Sequence, residues 1–529
     1  MKIVRERSRA ALSGVLGGTL SLTLSTVIVK LIGLIYKIPI ASLLTDEGMG
    51  YFNSAYTVYA FFYLLCSAGV PKAVMILISE TKAEGKHRDE QKILRVATEG
   101  FLIAGSIITA LFVIFSLPLA HIIGSTRSAV TMIAVAPSIL FVSLGGVLRG
   151  YLSANLLFSR VAVSQLLEGV GKLAFGLAFA MVGVRLELPL EWLSAMTITG
   201  VTLGSAAGYL YLYVCSKCKI TKENTRQIIY HSEKIAIIRR VLSISVPITL
   251  SAAIMSITGV IDLAMIMRSL GDIGYSESEA SALYGNYTTL AVPMFNLAVA
   301  IVTPVSLAHL PILAKSHSSS DNEAFGLTER SSLDLTSGLA APMTIGMAVF
   351  SREILSMLFP GSELEVGANL LLLISPAIIF YSLLNVTNSS LEAVGRVRAA
   401  MVSMLLGSIA KVAVGYILIT RTDLGIYGAP IGTVVCYAVA LFISLIIYGR
   451  TIGRTLPILS SSLAPYITAA ASVICSRAVY DRISGPLNDN LALMISITLA
   501  AVIYICLITF FGILSPNKIL KLAKYTKTG

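Results

Sequence analysis

The sequence predicts an all-α polytopic membrane protein of about fourteen transmembrane helices, in two pseudo-symmetric six-helix lobes plus two C-terminal helices. Three observations carry that expectation. Charged residues make up only 13% of the chain, about half the ~25% of ordinary soluble domains. Mean hydropathy is +0.83, and apolar runs near the ~20-residue crossing length recur from residue 15 to residue 514. An ordered set of residues also repeats between the two halves. Little polar sequence separates the runs, so no soluble domain of useful size fits. The net charge of +12 does not indicate nucleic-acid binding, because its placement follows the runs.

The first expected span, 15–40, follows a basic start (Lys2, Arg5, Arg7, Arg9). Its apolar run is too long for a signal peptide and lacks a small-residue cleavage site, so it reads as an uncleaved span. The second, 52–79, follows Asp46 and Glu47, and the third, 93–118, follows the basic 80–95 loop (Lys82, Lys86, Arg88, Lys92, Arg95). Spans 128–152, 157–184 and 190–216 complete an N-terminal lobe over 1–220. The basic segment 217–240 (Lys217, Lys219, Lys222, Arg226, Lys234, Arg239, Arg240) leads into a C-terminal lobe over 221–454. Its expected spans are 240–268, 284–312, 333–359, 366–394, 398–420 and 427–449. Two further spans, 458–480 and 490–514, lie in the 455–529 region, which ends in a basic tail (Lys518, Lys521, Lys524, Lys527).

Lysine and arginine set orientation. The N-terminus, the 80–95 and 217–240 segments, Arg396, Arg398, Arg450, Arg454 and the tail fall on one side. The opposite loops hold mainly Asp46, Glu47, Glu187, Glu191, Asp272, Glu277, Glu279, Glu363 and Glu365. Both termini are therefore expected in the cytoplasm. Five of the six cysteines, all but Cys218, fall within expected spans and read as packing residues, and Cys215-x-x-Cys218 lacks the second pair or the histidine that a zinc site needs.

The repeat appears at an offset of 233 residues, where Tyr51, Asn53, Phe62, Leu64 and Pro71 match Tyr284, Asn286, Phe295, Leu297 and Pro304. Gly171-Lys172-Leu173-Ala174-Phe175-Gly176 of the fifth span lines up with Ala410-Lys411-Val412-Ala413-Val414-Gly415 of the eleventh. Gly200 and Gly204 of the sixth resemble Gly428 and Gly432 of the twelfth. Paired lobes around a central site are a transporter architecture.

Five lysines lie within the apolar stretches: Lys30, Lys37, Lys72, Lys172 and Lys411. A lysine at membrane depth costs about 2.5–3.5 kcal/mol even on the lenient insertion scale, so it faces a partner, a cavity or an interface. Snorkelling accounts for Lys37, Lys72 and Arg149 near span ends, but not for Lys30 near mid-depth. Gln165, Glu168 and Lys172, at i, i+3 and i+7, share one helix face, with Glu168 and Lys172 spaced to pair. Asn385, Asn388 and Glu392 repeat that spacing in the tenth span. The bland account of such polar groups is interhelical hydrogen bonding, worth about 0.6 kcal/mol each. Ionised groups at mid-membrane favour a cavity lining instead. The candidate cavity residues are Lys30, Asn53, Gln165, Glu168, Lys172, Asn286, Asn385, Asn388 and Lys411, with Asp262 a candidate for a cation or proton. No catalytic motif is present: Gly171-Lys172 lacks the upstream glycine and the Ser/Thr of a P-loop, and the histidines form no spaced cluster.

Lys30-Leu31-Ile32-Gly33-Leu34-Ile35-Tyr36-Lys37-Ile38-Pro39, Gly48-Met49-Gly50-Tyr51-Phe52-Asn53 and Ala68-Gly69-Val70-Pro71 stand out. With Gly150-Tyr151-Leu152 and Ser164-Gln165-Leu166-Leu167-Glu168, they resemble the stage V sporulation protein B group of polysaccharide and lipid II flippases. That group falls within the multidrug/oligosaccharidyl-lipid/polysaccharide exporter superfamily. The resemblance implies a MATE-like fold, a V-shaped pair of lobes opening alternately inward and outward, and cations of the first, second and eighth spans facing a central cavity. Lys30 matches the first of those positions. The eighth-span arginine has no counterpart, since the aligned region reads Asn286-Tyr287-Thr288, and the cation-binding carboxylates that some members carry in the C-terminal lobe are not matched in the eleventh span.

The function expected is translocation of an undecaprenyl-pyrophosphate-linked saccharide, a peptidoglycan precursor first among them, across the bacterial cytoplasmic membrane. Partners are the lipid-linked substrate and the bilayer, without nucleic acid, cofactor or metal, and the chain is expected to be a monomer. A cation-coupled multidrug antiporter and another polysaccharide lipid flippase are the alternatives. A membrane glycosyltransferase would need a catalytic acid on a large outer loop, and the loops are short. The saccharide, the energy source and the setting, vegetative or sporulating, stay open.

Overall fold

A computed structural model describes residues 2–84, 87–219, 230–360, 364–485 and 488–510, with a number of side chains within the helices outside the description, among them those before residue 28 and that of Lys30. Every described element is helical, in the order α1 Lys2–Ser67, α2 Val70–Ala83, α3 His87–Ile123, α4 Ser128–Val135, α5 Pro137–Ala154, α6 Phe158–Arg185, α7 Leu190–Lys219, α8 His231–Asp272 and α9 Glu277–Asn286. A π-turn at Tyr287–Ala291 precedes α10 Val292–Ser318, α11 Asn322–Val349, α12 Ser351–Leu358, α13 Leu364–Ile374, α14 Ala377–Ala393 and α15 Val397–Arg421. A 3₁₀ turn at Gly425–Tyr427 precedes α16 Gly428–Ile452, α17 Ile458–Ile483 and α18 Asp489–Phe510.

Among the described residues, eleven helical stretches are long and apolar enough to cross a membrane, twelve if α11 and α12, bent by 81°, form one span. Fourteen is therefore an approximate count. The expected first and seventh spans fall in α1 and α8, both of which contain residues whose side chains are outside the description. The first two expected spans are merged into α1, broken only at Thr45. Its φ of 60° and ψ of 174° are a conformation reserved almost entirely for glycine, and holding a threonine there costs about 1–3 kcal/mol. The acidic Asp46 and Glu47 follow at the start of the second segment, where the helix dipole favours negative charge.

Packing divides the chain into two compact units, Met1–Gly271 with Ser276–Gly285, and Asp272–Tyr275 with Asn286–Gly529. The seventh expected span, α8, thus clusters with the first unit and the last two helices with the second. In the first unit α6 and α7 pack backbone against backbone. A Cβ on Gly200 would stand 2.4 Å from Gly176 N, and one on Gly204 would stand 2.6 Å from the Glu168 carbonyl oxygen. The Gly200-x₃-Gly204-x₃-Gly208 spacing is the small-residue pattern that lets membrane helices approach closely.

The second unit builds the same motif from α15 and α16. A Cβ on Gly432 would lie 3.1 Å from the Lys411 carbonyl oxygen and 3.4 Å from Gly415 Cα, as one on Gly200 would lie 3.0 Å from the Lys172 oxygen and 2.5 Å from Gly176 Cα. The structural counterpart of Gly200 is therefore Gly432, one helical turn from the Gly428 that sequence matching selects. Apolar segments align almost equally well at either register, and only the contact across the helix pair separates them. Elsewhere in this unit the Tyr448 hydroxyl donates to both carboxylate oxygens of Glu329 at 2.9 Å, and Arg454 Nη2 donates to Oε2. Helices α17 and α18 are tied in by Arg477–Glu353 at 2.6 Å and by Tyr504, whose hydroxyl donates to the Gly338 carbonyl at 2.8 Å.

Candidate functional site

Two helical stripes with identical spacing face one cavity in the first unit. Tyr56, Tyr59 and Tyr63 stand at i, i+3 and i+7 on α1, and Gln165, Glu168 and Lys172 stand at the same intervals on α6. That spacing puts each trio on one helix face. Both trios line a cavity of about 520 Å³ together with Val29, Ile32, Gly33, Tyr36, Ala60, Gly169 and Val201. One wall is aromatic, the other polar and charged.

The glycines of α6 shape this space. A Cβ on Gly176 would meet the Tyr36 hydroxyl at 2.5 Å, and one on Gly171 would meet Gly204 Cα at 2.8 Å. Glycine thus brings α6 close to both α1 and α7. The tyrosine ladder is continuous: Phe52 and Tyr56 lie parallel, with centroids 6.2 Å apart and planes at 7°. Tyr56–Tyr59 and Tyr59–Tyr63 follow at 5.8 and 5.9 Å.

The charges do not pair as their spacing suggests. Glu168 accepts a 2.6 Å hydrogen bond from Arg149 Nη2 of α5 and a longer one, 3.4 Å, from Ser205 Oγ of α7. Lys172, one turn along α6, instead holds its ammonium 4.2 Å from the Tyr56 ring centroid and 5.2 Å from that of Tyr36. The expected Glu168–Lys172 pair is thereby replaced, because a guanidinium forms a shorter, better directed bond to a carboxylate than a lysine on the same helix. Arg149 is also not a snorkelling residue. It is only 8% exposed, and its charge is met inside the protein by Glu168. Lys37 likewise donates to the Oδ1 of buried Asn53 at 3.2 Å rather than reaching for an interface. With Glu168 neutralised, Lys172 is the uncompensated charge among the described cavity-lining side chains.

The other sequence candidates are distributed. The Lys30 side chain lies outside the described residues, although its helical neighbours Val29, Ile32 and Gly33 line the cavity. Asp262 is buried on α8 in the first unit. Asn286, Asn385, Asn388 and Lys411 belong to the second unit. Asn286 is 1% exposed, with neither side-chain polar atom hydrogen-bonded among the described residues. Asn388 accepts from Ser444 Oγ at 2.9 Å, an ordinary α14–α16 contact. Among the described residues no group of three His, Cys, Asp or Glu side chains is placed to hold a metal ion.

Sequence reasoning missed the tyrosines. Their i, i+3, i+7 stripe was readable, but aromatic residues in an apolar helix read as packing until an opposing cation is placed against them. Arg149 carried no local signal, since its partner is 19 residues away on another helix.

A sequence profile of the family described as polysaccharide biosynthesis protein matches residues 15–317, more than half of the chain. A second, described as MatE, matches residues 247–417. Stage V sporulation protein B of Bacillus subtilis (strain 168) is 25% identical over 514 residues, covering 95% of this chain and 96% of that protein. Lipid II flippase MurJ of the same organism is 23% identical over 466 residues, covering 84% and 85%. Among solved structures, lipid II flippase MurJ in an inward closed conformation superposes with a TM-score of 0.71 at 16% identity, covering 93% of this chain and 98% of that one. An inward-facing multidrug resistance MATE family transporter of the MOP superfamily gives 0.65 at 14% identity, covering 82% and 98%. At such identities the likeness to these structures establishes the fold.

Proposed function

The chain belongs to the polysaccharide biosynthesis protein family, and from that premise we propose that it is a flippase for an undecaprenyl-pyrophosphate-linked saccharide, lipid II foremost. The observation that carries this reading is the electrostatics of the α1–α6 cavity. Its carboxylate is neutralised by Arg149 and its ammonium is left to meet a ligand. A cationic lysine at membrane depth, set on Tyr56 and Tyr36 in a cavity that Tyr59 and Tyr63 also line, suits an anionic headgroup bearing sugars. The lipid tail stays in the bilayer while the headgroup crosses by alternating access. No bond is made or broken, so the protein acts as a transporter and not as an enzyme.

A multidrug antiporter is the rival reading, and the MatE match gives it substance. A cationic drug needs an available carboxylate, and Glu168 is engaged by Arg149. The charge asymmetry of the loops supports an orientation with both termini inside, and on this reading the membrane is the bacterial cytoplasmic membrane and the acting form a monomer. The test is replacement of the native lipid II flippase by this chain in a conditional depletion strain, followed through growth and spore cortex formation. The parent sequence should support one or both, and Lys30→Ala, at undiminished protein level, should support neither. Failure of the parent to support either, with normal membrane insertion, would refute the lipid II assignment.

A further inference from the structure

The position of Lys172 distinguishes two classes of ligand that share the same anionic group. Its ammonium rests on Tyr56 at 4.2 Å and on Tyr36 at 5.2 Å, while the nearest carboxylate along its helix is occupied by Arg149. Tyr56 is half-buried and held between Phe52 and Tyr59, so the ring is a fixed platform. The geometry points to Lys172 as a two-position cation and to Tyr56 as the residue that selects a saccharide-bearing lipid pyrophosphate over the bare lipid pyrophosphate.

A cation on an aromatic face is stabilised by about two- to thirty-fold in an equilibrium, depending on how far the pair is desolvated. A phosphate oxygen makes a charge-assisted hydrogen bond with the ammonium, a stronger contact than the ring provides. Binding of a pyrophosphate therefore draws Lys172 off Tyr56. The ring face it leaves is apolar and rigid, and the C–H face of a sugar ring fits there. A bare lipid pyrophosphate forfeits the cation–ring contact and puts nothing in its place. A saccharide-bearing one refills the vacated face. Tyr56 thus penalises the first ligand and rewards the second, a selection by difference rather than by gross affinity. Tyr56 and Tyr63, the half-buried tyrosines of the lining, let the sugar find stacking surfaces without requiring hydrogen bonds specific to one saccharide.

This inference rests on the flippase reading, and the experiment separates their failures. The full-length protein in nanodiscs is titrated with undecaprenyl pyrophosphate and with the same lipid carrying one amino sugar, binding being read by native mass spectrometry. Tyr56→Leu should tighten the bare lipid by about two-fold or more, given the size of cation–π contacts, while the sugar-bearing lipid, which loses its stacking face as it gains the same relief, should not tighten, so that the preference for the sugar falls by at least that factor. Tyr56→Phe, which keeps the ring, should behave as the parent. Equal weakening of both ligands in Tyr56→Leu, or no change in either, would overturn the selection by Tyr56, as would a leucine-like result for Tyr56→Phe. A parent protein that binds neither lipid would overturn the flippase reading itself. Because Tyr56→Leu could compromise folding, a second measurement uses the parent alone. An N-methyl signal assigned to Lys172 after reductive methylation should be ring-current shifted without ligand and lose that shift with either lipid. A signal that shows no ring-current shift, or that keeps it on binding, overturns the two-position cation.

Discussion

Arg149→Gln is the most informative perturbation, because the structure gives Glu168 two alternative cations. In the parent, Arg149 and Glu168 meet at 2.6 Å with side chains only 10% and 20% exposed. Removing one partner of such a pair leaves an uncompensated charge and costs about 3–5 kcal/mol in soluble proteins. Here Lys172 stands one helical turn from Glu168, at the spacing from which an acid and a lysine pair. Recapture by Lys172 recovers part of that cost but takes the ammonium off the tyrosines and cancels the cavity's positive charge. Arg149→Gln should therefore fold with a loss below the full 3–5 kcal/mol of an orphaned charge and still fail to transport. Adding Glu168→Gln removes the need for recapture, so the double variant should regain transport. The assay is thermal unfolding of the purified protein alongside rescue of a flippase-depleted strain. Parental stability and transport in Arg149→Gln would refute the ion-pair argument. A folded but inactive double variant would show that Glu168 has a duty of its own beyond neutralisation.

Two further outcomes follow from the packing and the charge pattern. Gly200→Val places a Cβ 2.4 Å from Gly176 N, an overlap with backbone that no rotamer relieves, so the α6–α7 pair must separate. The expected result is loss of a monodisperse peak in size-exclusion chromatography, whereas Gly449→Ala, with open space at its Cβ, should elute as the parent; a monodisperse Gly200→Val protein would contradict the close-packing account. For topology, a cysteine at Ser276 in a cysteine-free background should react with an impermeant thiol reagent from outside, and one at Ser232 should not. The reverse labelling would invert the orientation.

Composition and periodicity were sufficient for the membrane class, the helical fold and most span positions, because an apolar run of crossing length has few alternatives to a helix in lipid. They also placed Gln165, Glu168 and Lys172 on a common face, since that is a property of one helix. The count of spans was less secure: α1 passes through a break at Thr45 and α11–α12 bends by 81°, features that hydropathy does not register. Charge pairing was misread for the same reason that residue spacing was informative. Spacing reports neighbours within a helix, and Glu168 is bonded to Arg149 from another.

The register of the glycine contacts, with Gly200 answering to Gly432, depends on which residues touch across a helix pair, and two apolar sequences leave that choice nearly degenerate. The same holds for the cavity. A lysine and a row of tyrosines are each visible along the chain, but the chemistry lies in their 4.2 Å approach. That distance is set by glycines that bring α6 against α1 and α7, so it exists only once three helices have packed.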